Sequence, residues 1–168
     1  MAWMNSDGLY LEYGTEKTSA ENAGDFKTFG ALRCTTARIT LASLSSANSI
    51  IADNVIFPDN ARIERVEVVT LTASTGSTAP TLNVGFTATS RSTEVDYDGL
   101  VAVMLAADMS ELGEITTLTA VSTLGGALIG TTTTVPAYLS ANNGSTTSFG
   151  SGVVDVRVYW HGISTSTV

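Results

Sequence analysis

The chain of 168 residues is 43% apolar and 14% charged, enough for one buried core, too short for two ordinary domains and too apolar for a disordered polymer. Its formal charge of −8, from 16 acidic against 8 basic residues, disfavours a nucleic-acid partner, and the dispersal of the basic side chains disfavours a polybasic membrane anchor. The single cysteine, Cys34, leaves no intramolecular disulfide, so packing and hydrogen bonds must hold the fold.

In chain order, the opening Met1 to Leu11 has no basic n-region and no apolar run of signal-peptide length, so a soluble protein folded in cytoplasm is expected. It does carry Trp3 and two methionines ahead of any regular element, and such side chains are costly to leave in water. They either fold back on the chain's own core or anchor in a partner. Period-2 patterns predict strands at Leu9, Leu11 and Tyr13, at Ala37, Ile39 and Leu41, and at Ile51, Val55 and Phe57. Residues 15–24 read as flexible, and Cys34 as a buried small hydrophobe. After the turn Pro58-Asp59-Asn60, the run from Ala61 to Ala73 changes phase: Val66 and Val68 fall on one face, Val69 and Leu71 on the other. A bulge accounts for that slip, or both faces are covered.

Leu82, Val84, Phe86 and Ala88 alternate with polar residues and predict a strand. Gly99 to Ala107, with Asp98 as N-cap, predicts a short buried helix, because it is apolar all round. Ile115 to Ile129 has no decisive period and is assigned one or two strands. Val135, Ala137, Leu139 and Ala141 predict another, which Asn142-Asn143-Gly144 should connect as a hairpin to a last strand. In that strand Val154, Val156, Val158 and Trp160 face the core and Asp155, Arg157, Tyr159 and His161 face outward. The expected fold is all-β, a jelly-roll-like β-sandwich or barrel with one short helix in a connection. Its expected division is 1–14 as an anchoring segment with a short strand, 15–30 as a flexible connection, 31–163 as the sandwich and 164–168 as a tail.

No residue pattern predicts chemistry. One histidine, His161, stands on the outward face of a strand, so a nucleophile–base pair has no base to use. Glu94, Asp96 and Asp98 before Gly99 begin like a calcium loop, but Leu105 stands where the last acidic ligand belongs, and a solvated turn capping the helix is the better reading. One His and one Cys do not make a zinc site. Gly125, Gly126 and Gly130 lack the lysine and the strand–loop–helix setting of a phosphate loop. No catalytic residue, cofactor or metal is expected; a hydrolase using Asp96 and Asp98 ranks far below, and a sugar-binding module would use Tyr10, Tyr13, Tyr138 or Tyr159.

Three segments resemble the small virion proteins of tailed bacteriophages that decorate or cement the capsid. They are Met1-Ala2-Trp3-Met4-Asn5-Ser6-Asp7-Gly8-Leu9, the run from Phe57-Pro58-Asp59-Asn60 to Val68, and Val156-Arg157-Val158-Tyr159-Trp160-His161-Gly162. The resemblance runs from Met1 to about Gly162, except for Glu111 to Thr134. It implies a β-rich homotrimer bound to the major capsid protein lattice on the outer surface of the virion, with no nucleic acid or membrane as partner. Under it, Trp3, Met4 and Leu9 are the expected capsid anchor, and Val66, Val68, Val69, Leu71, Tyr159 and His161 the expected subunit interface. A head-completion, neck or tail protein is the alternative.

Overall fold

The computed structural model describes residues 2–4, 10–12, 32–46, 50–75, 79–91 and 94–162, and the chain divides into two compact units, Met1–Ala31 and Leu32–Val168. In the first unit, β1 (Ala2–Met4) and β2 (Tyr10–Glu12) pair antiparallel, with Trp3 opposite Leu11 and Met4 opposite Tyr10. The opening segment is thus partly strand. Leu9, Tyr13 and the flexible stretch expected at 15–24 lie outside the described residues.

The second unit contains β3 (Arg33–Thr40), β4 (Ile50–Phe57), β5 (Ala61–Thr75), β6 (Thr81–Ala88), β7 (Glu94–Leu105), β8 (Ile115–Leu118), β9 (Ala137–Asn143) and β10 (Ser151–Gly162). One sheet has the order β3-β10-β5-β8 and the other β4-β9-β6-β7. The first strand of the unit lies against the last, the second against the penultimate, and β6 against β7. This is one long nested hairpin rolled up until β10 meets β5 and β9 meets β6, the jelly-roll form of an all-β sandwich.

Alternation drives the roll. Val154, Val156 and Val158 from β10, Ile63, Val66 and Val68 from β5, and Leu82, Val84 and Phe86 from β6 are all at most 1% exposed. Phe57 joins the layers, its ring 4.9 Å from Phe86 and 5.7 Å from Trp160. The apolar run in β5 covers both faces: Val66 and Val68 lie inward and Val69 outward in unbroken register, and bulges flank that stretch. Glu64 is the extra residue between the pairs Tyr159–Arg65 and Trp160–Ile63, and Leu71 the extra one between Val154–Thr70 and Val153–Thr72. Each bulge exchanges the inward and outward sets of side chains.

Two sequence expectations are corrected. The segment Gly99 to Ala107 is no buried α-helix: Gly99 to Leu105 is the second half of β7, and Ala106 and Ala107 open a 3-10 turn, Ala106–Met109, in which Asp108 Oδ2 accepts from the Leu105 amide at 2.9 Å. Register shifts against β6 interrupt β7, so apolar side chains fall at successive positions without any helical period. The acidic residues before it therefore belong to a strand and do not cap a helix. The second correction concerns β9 and β10, which form no hairpin because they belong to different sheets. Residues 144–150 cross between the sheets. Asn143, expected in the turn, ends β9 and holds the crossing, donating to the Thr147 carbonyl at 2.7 Å and accepting from the amides of Ser145 at 3.0 Å and Thr81 at 3.2 Å.

Between Ile115 and Ile129 there is one strand, β8. The connection after it binds first to β7, where Ala102 donates to the Leu124 carbonyl at 2.9 Å and Leu128 to the Gly99 carbonyl at 2.8 Å. It then binds to the start of β5, with Gly130 and Thr133 donating to the Ile63 and Ala61 carbonyls at 2.8 and 2.9 Å. These bonds cover part of two sheet edges that would otherwise offer unpaired backbone groups.

Candidate interaction surfaces

The outward residues of the sheet β3-β10-β5-β8 form rows across the strands. Asp155 stands between Arg38 and Val69, Arg157 between Thr36 and Glu67, and Tyr159 between Cys34 and Arg65. Parity alone puts these side chains outside, opposite the valines and tryptophan that fill the core. Cys34 shares that outward parity and is exposed, correcting the expectation that it is buried.

Each row is cross-linked. Arg38 grips Asp155 with Nε at 2.8 Å from Oδ1 and Nη2 at 3.0 Å from Oδ2. Glu67 gathers three donors: Tyr159 Oη at 2.9 Å, Arg65 Nε at 3.3 Å and, more loosely, Arg157 Nη1 at 4.0 Å. The Arg65 guanidinium lies 3.8 Å from the centre of the Tyr159 ring, a cation–π geometry. Arg62 Nε bonds Glu64 at 2.9 Å, and His161 Nε2 lies 3.9 Å from the same carboxylate.

The Arg38 hydrogen bond holds the Asp155 carboxyl below its ordinary 3.8, against the opposing effect of partial burial. The folded state therefore binds that proton less readily than the unfolded chain. The resulting stabilisation is present above the ordinary carboxylate range and is lost as pH falls through the lowered folded value. Asp155→Asn should lower the urea midpoint most at neutral pH and least in acid, and so flatten the acid limb of the stability curve, as read by urea unfolding at stepped pH. An acid limb identical to that of the unaltered chain would refute the assignment. In the other direction, the hydrogen bond to Glu67 raises the Tyr159 hydroxyl above its ordinary 10.0.

The structure separates the expected interface residues. Val66 and Val68 are 0% and 1% exposed and fill the chain's own core, so the expectation that they contact another subunit is corrected: the Glu64 bulge sets them on the inward side with Ile63. Val69 is outward but 7% exposed, set between Asp155 and Ile115, and Leu71 is half-buried at its bulge. Tyr159 and His161 share the outer face. Trp3 and Met4 lie together in β1 of the first unit, and Leu9 is outside the described residues.

Sequence reasoning missed a second surface feature, a turn from Glu111 to Ile115 at the edge of the same sheet. Gly113, at φ +82°, allows the reversal, and its amide donates to the Thr70 carbonyl at 2.8 Å while Thr70 donates to the Glu114 carbonyl at 2.9 Å. The turn holds Leu112 at 76% exposure beside Ile115 at 54%. The signal was available only as an isolated leucine flanked by acids.

The other sheet has apolar side chains outside as well, Ile56 on β4 and Val103 and Leu105 on β7. Tyr138 and Tyr159 lie on different sheets, each beside an arginine, so these two rings make no common platform. Asp96 Oδ1 accepts from the Asp98 amide at 3.3 Å, a local turn bond. Among the described residues no three His, Cys, Asp or Glu side chains converge as metal ligands.

No protein-family model matches the chain, and no curated protein matches it in sequence. Solved structures share its fold. A chain of the capsid of Ralstonia phage GP4 superposes with a TM-score of 0.54 at 15% identity, over 81% of this chain and 87% of that one. A chain of the cyanophage Pam1 capsid asymmetric unit gives 0.54 at 15% identity, over 94% of this chain and 96% of that one.

Proposed function

We propose that this chain is a structural protein of a phage virion, one that binds the outer surface of the head as a decoration or cement protein and stabilises the capsid through many protein–protein contacts. One observation carries the reading: the match to a chain of the Pam1 capsid extends over 94% of this chain and 96% of that one, so the shared fold takes in nearly all of both chains. The resemblance of the two ends and of Phe57 to Val68 points the same way. A rolled sandwich with cross-linked outer rows suits a part whose task is to stay rigid while attached.

The physical advantage of the proposed homotrimer is avidity. Three copies of one modest site facing a lattice of matching symmetry convert the second and third contacts into intramolecular events, raising apparent affinity by about 10²–10⁴ without new contacts. Trp3 and Met4, in β1, are the proposed anchor to the major capsid protein.

Quantitative gels of purified virions test the reading. Copies in the hundreds per head fit decoration; a dozen or fewer fit a head-completion, neck or tail part; absence defeats both. Trp3→Ala should cost about 2 kcal/mol per site, compounded by multivalency, and reduce occupancy on purified heads while leaving the melting temperature of the free protein unchanged. Unchanged occupancy would remove Trp3 from the anchor.

A further inference from the structure

The sandwich is electrically lopsided. The outer face of β3-β10-β5 carries four arginines, Arg38, Arg62, Arg65 and Arg157, against the three carboxylates Glu64, Glu67 and Asp155. The rest of residues 32–162 carries eight carboxylates against Arg33 and Arg91 alone. Within a chain of formal charge −8, the arginine-rich face and the acidic remainder are complementary to each other.

We propose that this arginine–tyrosine face is the docking site for a second copy of the chain, and that the docking element is the acid-flanked Leu112 turn. Three observations support the pairing. The receiving face has guanidinium capacity to spare: each arginine offers five N–H donors, while Glu67 is shared by Arg65, Arg157 and Tyr159. Arg38 keeps 67% and Arg62 50% of its side chain exposed. That face is also ordered before any partner arrives, because Arg65 stacks on Tyr159 and both bond Glu67, so little side-chain freedom remains to be lost on association.

The docking element presents the opposite chemistry. Leu112 is fixed in the open by the two backbone bonds to Thr70, with Glu111 before it and Glu114 after it. An apolar side chain inside a carboxylate rim matches a tyrosine ring inside an arginine rim, and Tyr and Arg are favoured at the energetic centre of interfaces. Because the two patches are different and lie on one molecule, the contact is heterologous. Repeated by a rotation that closes, it generates a ring. The inference deepens the virion reading, which supplies only the place where such a ring would act.

Sedimentation velocity of the full chain tests it directly. The unaltered protein should sediment as an oligomer at low salt and shift toward the 17.4 kDa protomer as salt rises. Glu111→Arg with Glu114→Arg, or Arg62→Glu with Arg157→Glu, should each raise the dissociation constant about tenfold or more, and the four changes combined should restore association. Leu112→Ser, at an exposed position that folding does not require, should weaken it too without altering the melting temperature. A chain that stays monomeric at all salts overturns the proposal, as does an oligomer indifferent to these changes or one that the combined variant fails to restore. Head occupancy is read separately. A monomer that binds heads defeats this inference alone, and an oligomer that never binds heads defeats the virion reading alone.

Discussion

Phe57→Ala is expected to destabilise the sandwich by about 3–5 kcal/mol, the usual cost of emptying a buried aromatic site. Phe57 is fully buried at the end of β4, and its ring meets Phe86 of its own sheet and Trp160 of the facing one. Truncation would forfeit contacts on both layers. The void cannot close easily, because Trp160 is fixed by its Nε1 bond to Thr35 Oγ1 at 2.8 Å, and β4 by its pairing with β9. At about 2–4 °C per kcal/mol for a chain of this size, the melting temperature should fall by roughly 6–20 °C. Ile56→Ala is the internal control: Ile56, the residue before Phe57, is 51% exposed, and its truncation should change stability by about 0.5 kcal/mol or less. Equal effects at the two positions would mean that the aromatic contact does not join the layers.

That contrast between neighbours shows what could be read from sequence. Wherever a strand keeps its register, alternation names both faces: β10 carries Val154, Val156 and Val158 inward and Asp155, Arg157, Tyr159 and His161 outward, as its pattern predicts. Where register slips, the same rule misleads. In β5 the Glu64 bulge puts Val66 and Val68 on the same inward side as Ile63, away from any partner, and in β7 shifts against β6 give an apolar run that imitates a buried helix. The false β9–β10 hairpin has another cause. The turn-forming residues Asn142 and Asn143 are present, but the rolled topology sends the chain to the opposite sheet, and pairing between sequence-distant strands leaves no local signal.

The candidate surface was half legible for the same reasons. Tyr159 and His161 follow from parity. Their partners Arg65, Glu67 and Glu64 come from a strand far away in sequence and stand in reach only because the Glu64 bulge sets their phase. Leu112 lies in a stretch without period, where neither helix nor strand logic applies. Its meaning depends on the two backbone bonds to Thr70 that hold the turn outward.

Gly85→Ala should be strongly damaging for a single added methyl, costing about 3 kcal/mol, at the upper end for overpacking. Gly85 sits mid-strand in β6 between Val84 and Phe86, where a glycine is otherwise unfavourable. The reason lies in β7, which inserts extra residues between the pairs Val84–Val101 and Phe86–Asp96 and folds them across the glycine. A Cβ there would overlap the Asp96 carbonyl oxygen and stand 2.7 Å from the Tyr97 carbonyl carbon. Both obstacles are backbone, so no side chain can swing aside to relieve the overlap; the inserted segment itself must lift. The melting temperature should fall by roughly 6–12 °C, and amide exchange should rise first in residues 95–101, ahead of global unfolding. Gly113→Ala provides the comparison, since no atom lies within 4 Å of its Cβ position and only the φ of +82° opposes it, a penalty of about 1 kcal/mol. If the two substitutions cost the same, β7 does not press on β6 as described. The larger loss at Gly85 would instead tie the sheet's outer surface, where Tyr97 is 46% exposed, to the absence of one methyl group beneath it.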